Sequence, residues 1–432
     1  MDSFRPRVPV LIDTDPGVDD IVAILLALAS PELDILALIV SFGNTDADAS
    51  YLNILKLYQT IERHIQKHPE DVGRFPNFSP KKKIILARGC EGPIEGTLHS
   101  AQYFHGRDGL GDITGRHPDL NVNPDITQGH SQLEIADIHG VDIALDILRS
   151  YPPRSVTYVI LGPMTNLVQM MKKDGAMVRE RIGRIVCMGG ALDVPGNTTP
   201  VAEFNFFADP YAVKELLLSD NEDLRLPLER FLMVPLDITT LHELPFPIYK
   251  RAVDPTFESA SAAPSNGSRK SPIVHFTSSF LERTREVMLS YGKDAMELHD
   301  IVAVWCAMEN PPSPDDRTGD ILAPGWRALR RIFDIERFGE LTRGMLVVDR
   351  RDDQTAYAPG ANRAEVQKQL DSLGVPHGPW ESIAVPAQVE VEREPESFSS
   401  SQSGVWCVTN TPGPKALLQL LLYRVWGVKL DE

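Results

Sequence analysis

The sequence predicts an α/β fold with a mostly parallel central sheet flanked by helices. Over the first half of the chain, short apolar runs alternate with longer stretches of helical apolar character, the order expected of strands joined by crossover helices. Several runs end in Gly, Asn or Asp, which close strands in tight turns. The chain has 432 residues, 42% hydrophobic and 24% charged, enough for two or three ordinary domains or one large α/β domain with insertions.

Residues 8–12 form the first apolar run. Residues 21–29 (IVAILLALA) are too many and too rich in Ala and Leu for a strand, and fit a buried helix. A second strand covers 33–41 and closes at Gly43; a helix follows over 53–65 and a third strand over 83–87. Next come a helix at 140–149, a strand at 156–161, a helix at 166–172, a strand at 184–188 and a helix at 211–218. In such sheets ligands bind outside the carboxyl ends of the strands. Segments 64–82, 252–272 and 390–404 are polar, Pro-containing or Ser-rich, and read as flexible surface insertions. The second precedes a candidate site, which adds a lid as a reading. There is no internal repeat.

The net charge of −17 excludes a nucleic-acid polymer or an anionic membrane as partner, because neutralising phosphates takes clustered Lys and Arg. A small neutral or cationic ligand fits. Cys90, Cys187, Cys306 and Cys407 are scattered without metal or disulfide spacing, which points to a reducing compartment. The first residues lack a secretory apolar core and no apolar run reaches the roughly 18 residues of a membrane span. A cytoplasmic protein is expected.

The strongest chemical signal is LIDTDPGVDD, with Asp13, Asp15, Asp19 and Asp20 around a Pro-Gly turn. Two carboxylates about 4 Å apart repel by roughly 4 kcal/mol at a protein surface. Helix capping accounts for Asp19 or Asp20. It does not account for Asp13 and Asp15, which lie two apart on a strand end and point the same way. A hard cation, Ca²⁺ or Mg²⁺, answers an oxygen-only set. Downstream, His299 and Asp300 open an apolar helical run, where a cap is the simple explanation. Glu203 and Asn205 flank Phe204 and can face one cleft. The turns VSFGN and LGPMTN and the loop FHGRDGLGD are weak alone, and the loop lacks the spacing of a phosphate or dinucleotide cradle.

Taken in order, these segments are identified with a known family. DTDPGVDD, SFGN, FHGRDGLGD, LGPMTN, MGG with GN and VAEFN, ADP, LHD and ELTRGMLVVD resemble the inosine-uridine-preferring nucleoside hydrolases over about residues 8–350, with a weaker helical tail at 417–426. The resemblance implies one large Rossmann-like domain over 1–432 that hydrolyses the N-glycosidic bond of ribonucleosides to ribose and free base. It implies Ca²⁺ held by Asp15, Asp20, Asp300 and the Leu161 carbonyl, and a Ca²⁺-bound water with Asp15 as general base. Asp19, Asn44, His105, Met188, Asn197, Glu203 and Asn205 would bind the substrate, and His299 would be the leaving-group acid, with Arg283 and Tyr291 as alternatives. Asp13 would support the turn from behind. By the same likeness the protein is a dimer or tetramer acting in purine and pyrimidine nucleoside salvage. Two other readings stand beside this one: a haloacid-dehalogenase-like phosphatase with Asp13 as nucleophile, and a non-catalytic nucleoside-binding member.

Overall fold

A computed structural model describes residues 7–78, 83–123, 130–219, 221, 223–312, 322–348, 372 and 404–430. Its frame is a nine-stranded sheet. In chain order the strands are β1 (Val8–Thr14), β2 (Leu33–Val40), β3 (Ile84–Arg88), β4 (Leu133–Ile135), β5 (Val156–Ile160), β6 (Ile182–Met188), β7 (Phe231–Val234), β8 (Glu243–Pro245), β9 (Ala295–Glu297), β10 (Arg327–Arg331), β11 (Asp334–Ile335), β12 (Leu346–Val347) and β13 (Val405–Asn410). The sheet order is β10-β13-β7-β6-β5-β1-β2-β3-β4, with β10 the antiparallel edge strand; β8 pairs with β9, and β11 with β12.

Strand geometry divides the apolar residues between two layers. On β1, Val10 and Ile12 enter one core with the helices Val18–Leu28, Ala47–Lys67, Pro272–Ser290, His299–Glu309 and Pro414–Trp426. Leu11 enters the other, with Gly140–Ser150, Thr165–Arg181 and Pro210–Leu217. The expected elements are all present, with shifted ends. The helix expected at 166–172 runs over Thr165–Arg181 across a non-helical Asp174. The helix Pro272–Ser290 had no expected counterpart. Its polar face carries Thr277 and Ser279, which bond back to the carbonyls of Ile273 and His275, and such residues blur an apolar period. Strand β13 was also unforeseen, because its pairing with β7 depends on a strand far away in sequence.

Two of the expected insertions carry buried anchors. In 64–78, Phe75 and Phe78 are buried, and Asn77 Nδ2 donates to the carbonyls of Ala27 and Ser30 at 3.0 and 2.7 Å, covering the end of the first helix. In 252–272, Phe257 packs on Phe246 and Tyr249, while Asp254 accepts from Lys270 and Ser278, each at 2.6 Å. Residues 79–82 and 390–403 lie outside the described residues. Among the described residues, no helix is long and apolar enough to cross a membrane.

Candidate active site

Four of the sequence motifs are turns at the carboxyl ends of neighbouring strands: residues 13–20 after β1, 41–44 after β2, 161–166 after β5 and 188–205 after β6. The chain builds outward from β1 to β2 and β3 on one side, and through β5, β6 and β7 on the other. Such a reversal opens a crevice at the strand ends.

Asp15 stands at that reversal. Its Oδ2 accepts the Asn44 backbone N–H at 2.8 Å, and its Oδ1 is buried with no hydrogen-bond partner. A Cβ on Gly43 would fall 1.9 Å from Oδ2, and one on Gly162 would fall 2.6 Å from Oδ1. Glycine therefore lets the loops after β2 and β5 close on the carboxylate. Burial, and then the charge of Asp20, raise the Asp15 carboxyl well above the usual range.

Asp20 has the opposite surroundings. It accepts from Thr14 Oγ1 at 2.6 Å, Gly17 N–H at 3.0 Å and Asn44 Nδ2 at 2.8 Å, which locks the Pro-Gly turn onto the start of the first helix. Asp13 accepts from the Tyr158 hydroxyl at 2.9 Å and Asn166 Nδ2 at 2.8 Å, and burial pushes its carboxyl up to about 7. Both Asp13 oxygens are engaged in the core, which disfavours a phosphatase nucleophile there.

Carboxylate oxygens of Asp19, Asp20 and Asp300 lie within 4.8 Å of one another. Burial and neighbouring aspartates push Asp19 up to about 7 and Asp300 well above its usual range. Asp19 Oδ1, like Asp15 Oδ1, is buried without a partner. Orphaned carboxylate oxygens in an all-oxygen cluster fit a hard dication. Asp19, expected to face the sugar, thus shares the oxygen cluster with Asp20 and Asp300. Leu161 lines the same pocket as Asp19 and Asp300, and its carbonyl accepts from Asn205 Nδ2 at 2.6 Å.

The pocket has a volume of about 560 Å³. Asp19, Asn44, His105, Leu161, Met188, Asn197, Glu203, Asn205, His299 and Asp300 all line it, although 281 residues separate the first from the last. Glu203 is held by the backbone N–H groups of Asn205, Gly190 and Phe206 at 2.7, 2.9 and 3.0 Å, and burial raises its carboxyl. Asn197 Oδ1 accepts the Phe204 N–H at 3.0 Å. His105 Nδ1 accepts the Val18 N–H at 3.1 Å, and burial pushes the imidazole down to about 3, so it is neutral with its proton on Nε2.

His299 is placed by residues that the sequence reading did not single out. Its Nδ1 is 2.8 Å from Thr239 Oγ1 and its Nε2 is 3.2 Å from Glu297 Oε2. Burial lowers its proton affinity, but the Glu297 contact outweighs this and the net shift is upward. Glu297 stands two residues before His299, a same-side parity that offered a signal. Thr239 offered none. Asn53 was also missed: from mid-helix its Nδ2 donates to Pro16 O at 2.9 Å and Asp108 O at 2.8 Å, tying the aspartate turn to the glycine-rich loop.

Of the alternative acids, Tyr291 lines the pocket, whereas Arg283 lies outside its wall and pairs with Glu286 at 3.1 Å. No residue of 252–272 lines the pocket, so the lid reading is not supported. The ADP motif is structural: Asp209 caps its helix and accepts from Thr165 at 2.6 Å. Arg343 of ELTRGMLVVD donates to the carbonyls of Phe207 and Ala208; Asp349 of that motif lies outside the described residues.

Comparison with known proteins gives a consistent result. A family model described as inosine-uridine preferring nucleoside hydrolase matches residues 10–375. An inosine-uridine preferring nucleoside hydrolase of Leishmania major is 26% identical over 362 residues, which is 84% of this chain and 93% of that protein. An uncharacterised protein of Schizosaccharomyces pombe is 30% identical over 341 residues, 79% of this chain and 88% of its own. Among solved structures, a plant nucleoside hydrolase superposes with a TM-score of 0.62 at 22% identity, covering 98% of this chain and 99% of that one; this likeness is one of fold.

Proposed function

The chain belongs to the inosine-uridine preferring nucleoside hydrolase family, and from that footing we propose that it hydrolyses the N-glycosidic bond of ribonucleosides, releasing ribose and free base. The observation that carries this reading is that Asp19 and Asp300, which cluster with Asp20, line one pocket together with His299.

Asp15, Asp20, Asp300 and the Leu161 carbonyl would hold Ca²⁺, with Asp19 beside them. When bound, the ion supplies a charge that lowers the pKa of water and grips vicinal hydroxyls. Asp15 takes the proton of the attacking water. Its Oδ2 is engaged by Asn44, and Oδ1, buried without a partner, is the atom left to accept. Asn44, Asn197, Glu203, Asn205 and Asp19 line the wall against the ribose. A 2′-deoxy substrate would leave some of these buried groups unpaired and be rejected. The surrounding carboxylates stabilise positive charge developing on the sugar as the bond breaks. His299, whose proton affinity the Glu297 contact raises against burial, donates its proton to the departing base.

The test is ribose release from inosine, uridine, cytidine and their 2′-deoxy forms, with and without a chelator. Ribose from ribonucleosides only, lost on chelation and restored by Ca²⁺, is the expected result. No ribose from any ribonucleoside would overturn the proposal.

A further inference from the structure

A second cavity, of about 460 Å³, shares no lining residue with the catalytic pocket. It lies between the 116–120 turn, the segment 264–270 and the start of the helix Pro272–Ser290. His117 and His275 are 2% and 7% exposed, and they meet Asp119 with one potential ligand atom of each residue within 4.8 Å of the others. The rings stand nearly perpendicular at 75°, with centroids 5.4 Å apart. His275 Nε2 is 2.8 Å from Asp119 Oδ2.

Both imidazoles are oriented from behind. Glu282, a buried carboxylate, sits 3.2 Å from His117 Nε2, and Ser279 Oγ is 3.4 Å from His275 Nδ1. With Glu282 accepting the Nε2 proton, the lone pair of His117 lies on Nδ1. A carboxylate or hydroxyl behind an imidazole is the usual support of a metal-ligating histidine. Burial lowers the proton affinity of His275, and His117 and Lys270 lower it further against the pull of Asp119. Two neighbouring cations are already matched: Arg116 pairs with Glu282 at 2.9 Å and Lys270 with Asp254 at 2.6 Å. Arg63 and Lys67 line the cavity from exposed positions and donate to the carbonyls of Asp119 and Lys270 at 3.0 and 3.2 Å, where solvent and salt screen their charge.

We propose that His117, Asp119 and His275 form a second metal site, selective for a dication of the Zn²⁺ class that takes imidazole nitrogen. Mixed nitrogen and oxygen donors select such an ion, whereas the all-oxygen cluster of the catalytic pocket selects Ca²⁺ or Mg²⁺. Three protein ligands beside an open cavity leave a further position for water. The ion joins two parts of the chain 156 residues apart at the start of a helix whose far end, through Met288, lines the catalytic pocket.

The experiment titrates the untagged full-length protein, with Ca²⁺ present, with Co²⁺ as a spectroscopic stand-in for Zn²⁺. One equivalent should develop visible d–d absorption that Zn²⁺ abolishes, and Asp300→Asn should leave the signal in place. The Asp119 side chain is 65% exposed, so Asp119→Asn preserves the fold. It should weaken Co²⁺ binding by about 10- to 100-fold or more. His275→Gln should abolish the signal; if that variant does not fold, Asp119→Asn alone decides. No d–d absorption, or absorption unchanged in Asp119→Asn, would overturn the proposal.

Discussion

The two acidic clusters of this molecule crowd ionisable groups in different ways. At the catalytic pocket, Asp15, Asp19, Asp20 and Asp300 come from a strand end and two helix starts; glycine backbone packs on Asp15, and burial with neighbouring aspartates raises the proton affinity of Asp15, Asp19 and Asp300. Around the second cavity, two imidazoles share one carboxylate and are backed by a buried Glu282 already paired with Arg116. Crowded carboxylates require a hard cation to offset like charge. Two imidazoles around one carboxylate carry no such repulsion and persist without one. On the proposed reading an ion at the first cluster would take part in the chemistry, while an ion at the second would be a staple.

The largest expected effect separates the two clusters outright. Asp15→Asn should lower the rate of ribose release by about 10²- to 10⁴-fold with unchanged circular dichroism, the range for loss of a general base. Retained activity would remove Asp15 from that role. The same assay on Asp119→Asn should show near wild-type turnover, because Asp119 lines the second cavity, which shares no residue with the catalytic pocket.

Next in size is the leaving-group step. His299→Gln should slow inosine or uridine cleavage by about 10²-fold. It should barely affect p-nitrophenyl riboside, whose leaving group needs no proton. Equal losses on both substrates would make His299 a structural residue. Glu297→Gln should act in the same direction but less, since Glu297 works through His299.

A third measurement compares metal dependence of stability. Chelating Ca²⁺ should lower the melting temperature of the wild type by several degrees, because each kcal/mol lost at Tm shifts a large domain by roughly 2–4 °C. The shift should be much smaller in Asp300→Asn. An equal shift in both would place the stabilising Ca²⁺ elsewhere.

The smallest effect comes from a carboxylate in neither cluster. Glu32 and Arg424 form a two-pronged pair at 2.6 and 2.8 Å that ties the last helix to the turn before β2. Burial opposes ionisation of Glu32, but Arg424 outweighs it and the carboxyl titrates below its ordinary value. A lowered carboxyl contributes stability at neutral pH that is lost as pH falls below its unfolded value and through its folded one. Glu32→Gln should cost at most about 1 kcal/mol at pH 7, as exposed pairs do. The cost should vanish in acid; one that persists there would point to packing rather than charge.

Much of the catalytic pocket was legible because its residues sit in local motifs. DTDPGVDD, VAEFN and LHD each put a side chain at a strand end or helix start, where backbone geometry sets direction. Thr239 and Asn53 were not legible, because their partners are other side chains or carbonyls reached only through folding. The His117–Asp119–His275 cluster belongs with them: histidine and aspartate two apart in RHPDL resemble an ordinary turn until the helix carrying His275 packs against it.

By itself the sequence determined the layered α/β frame, the strand ends that carry the chemistry and the aspartates that gather there, because apolar periodicity, turn residues and capping act over a few neighbouring positions. Only the tertiary structure decided which aspartates cluster, that 252–272 borders the second cavity rather than the catalytic pocket, and that His299 is held between Thr239 and Glu297. Those outcomes depend on distances and burial between segments tens to hundreds of residues apart, and electrostatic energy depends on separation in space and on desolvation, which order along the chain does not encode.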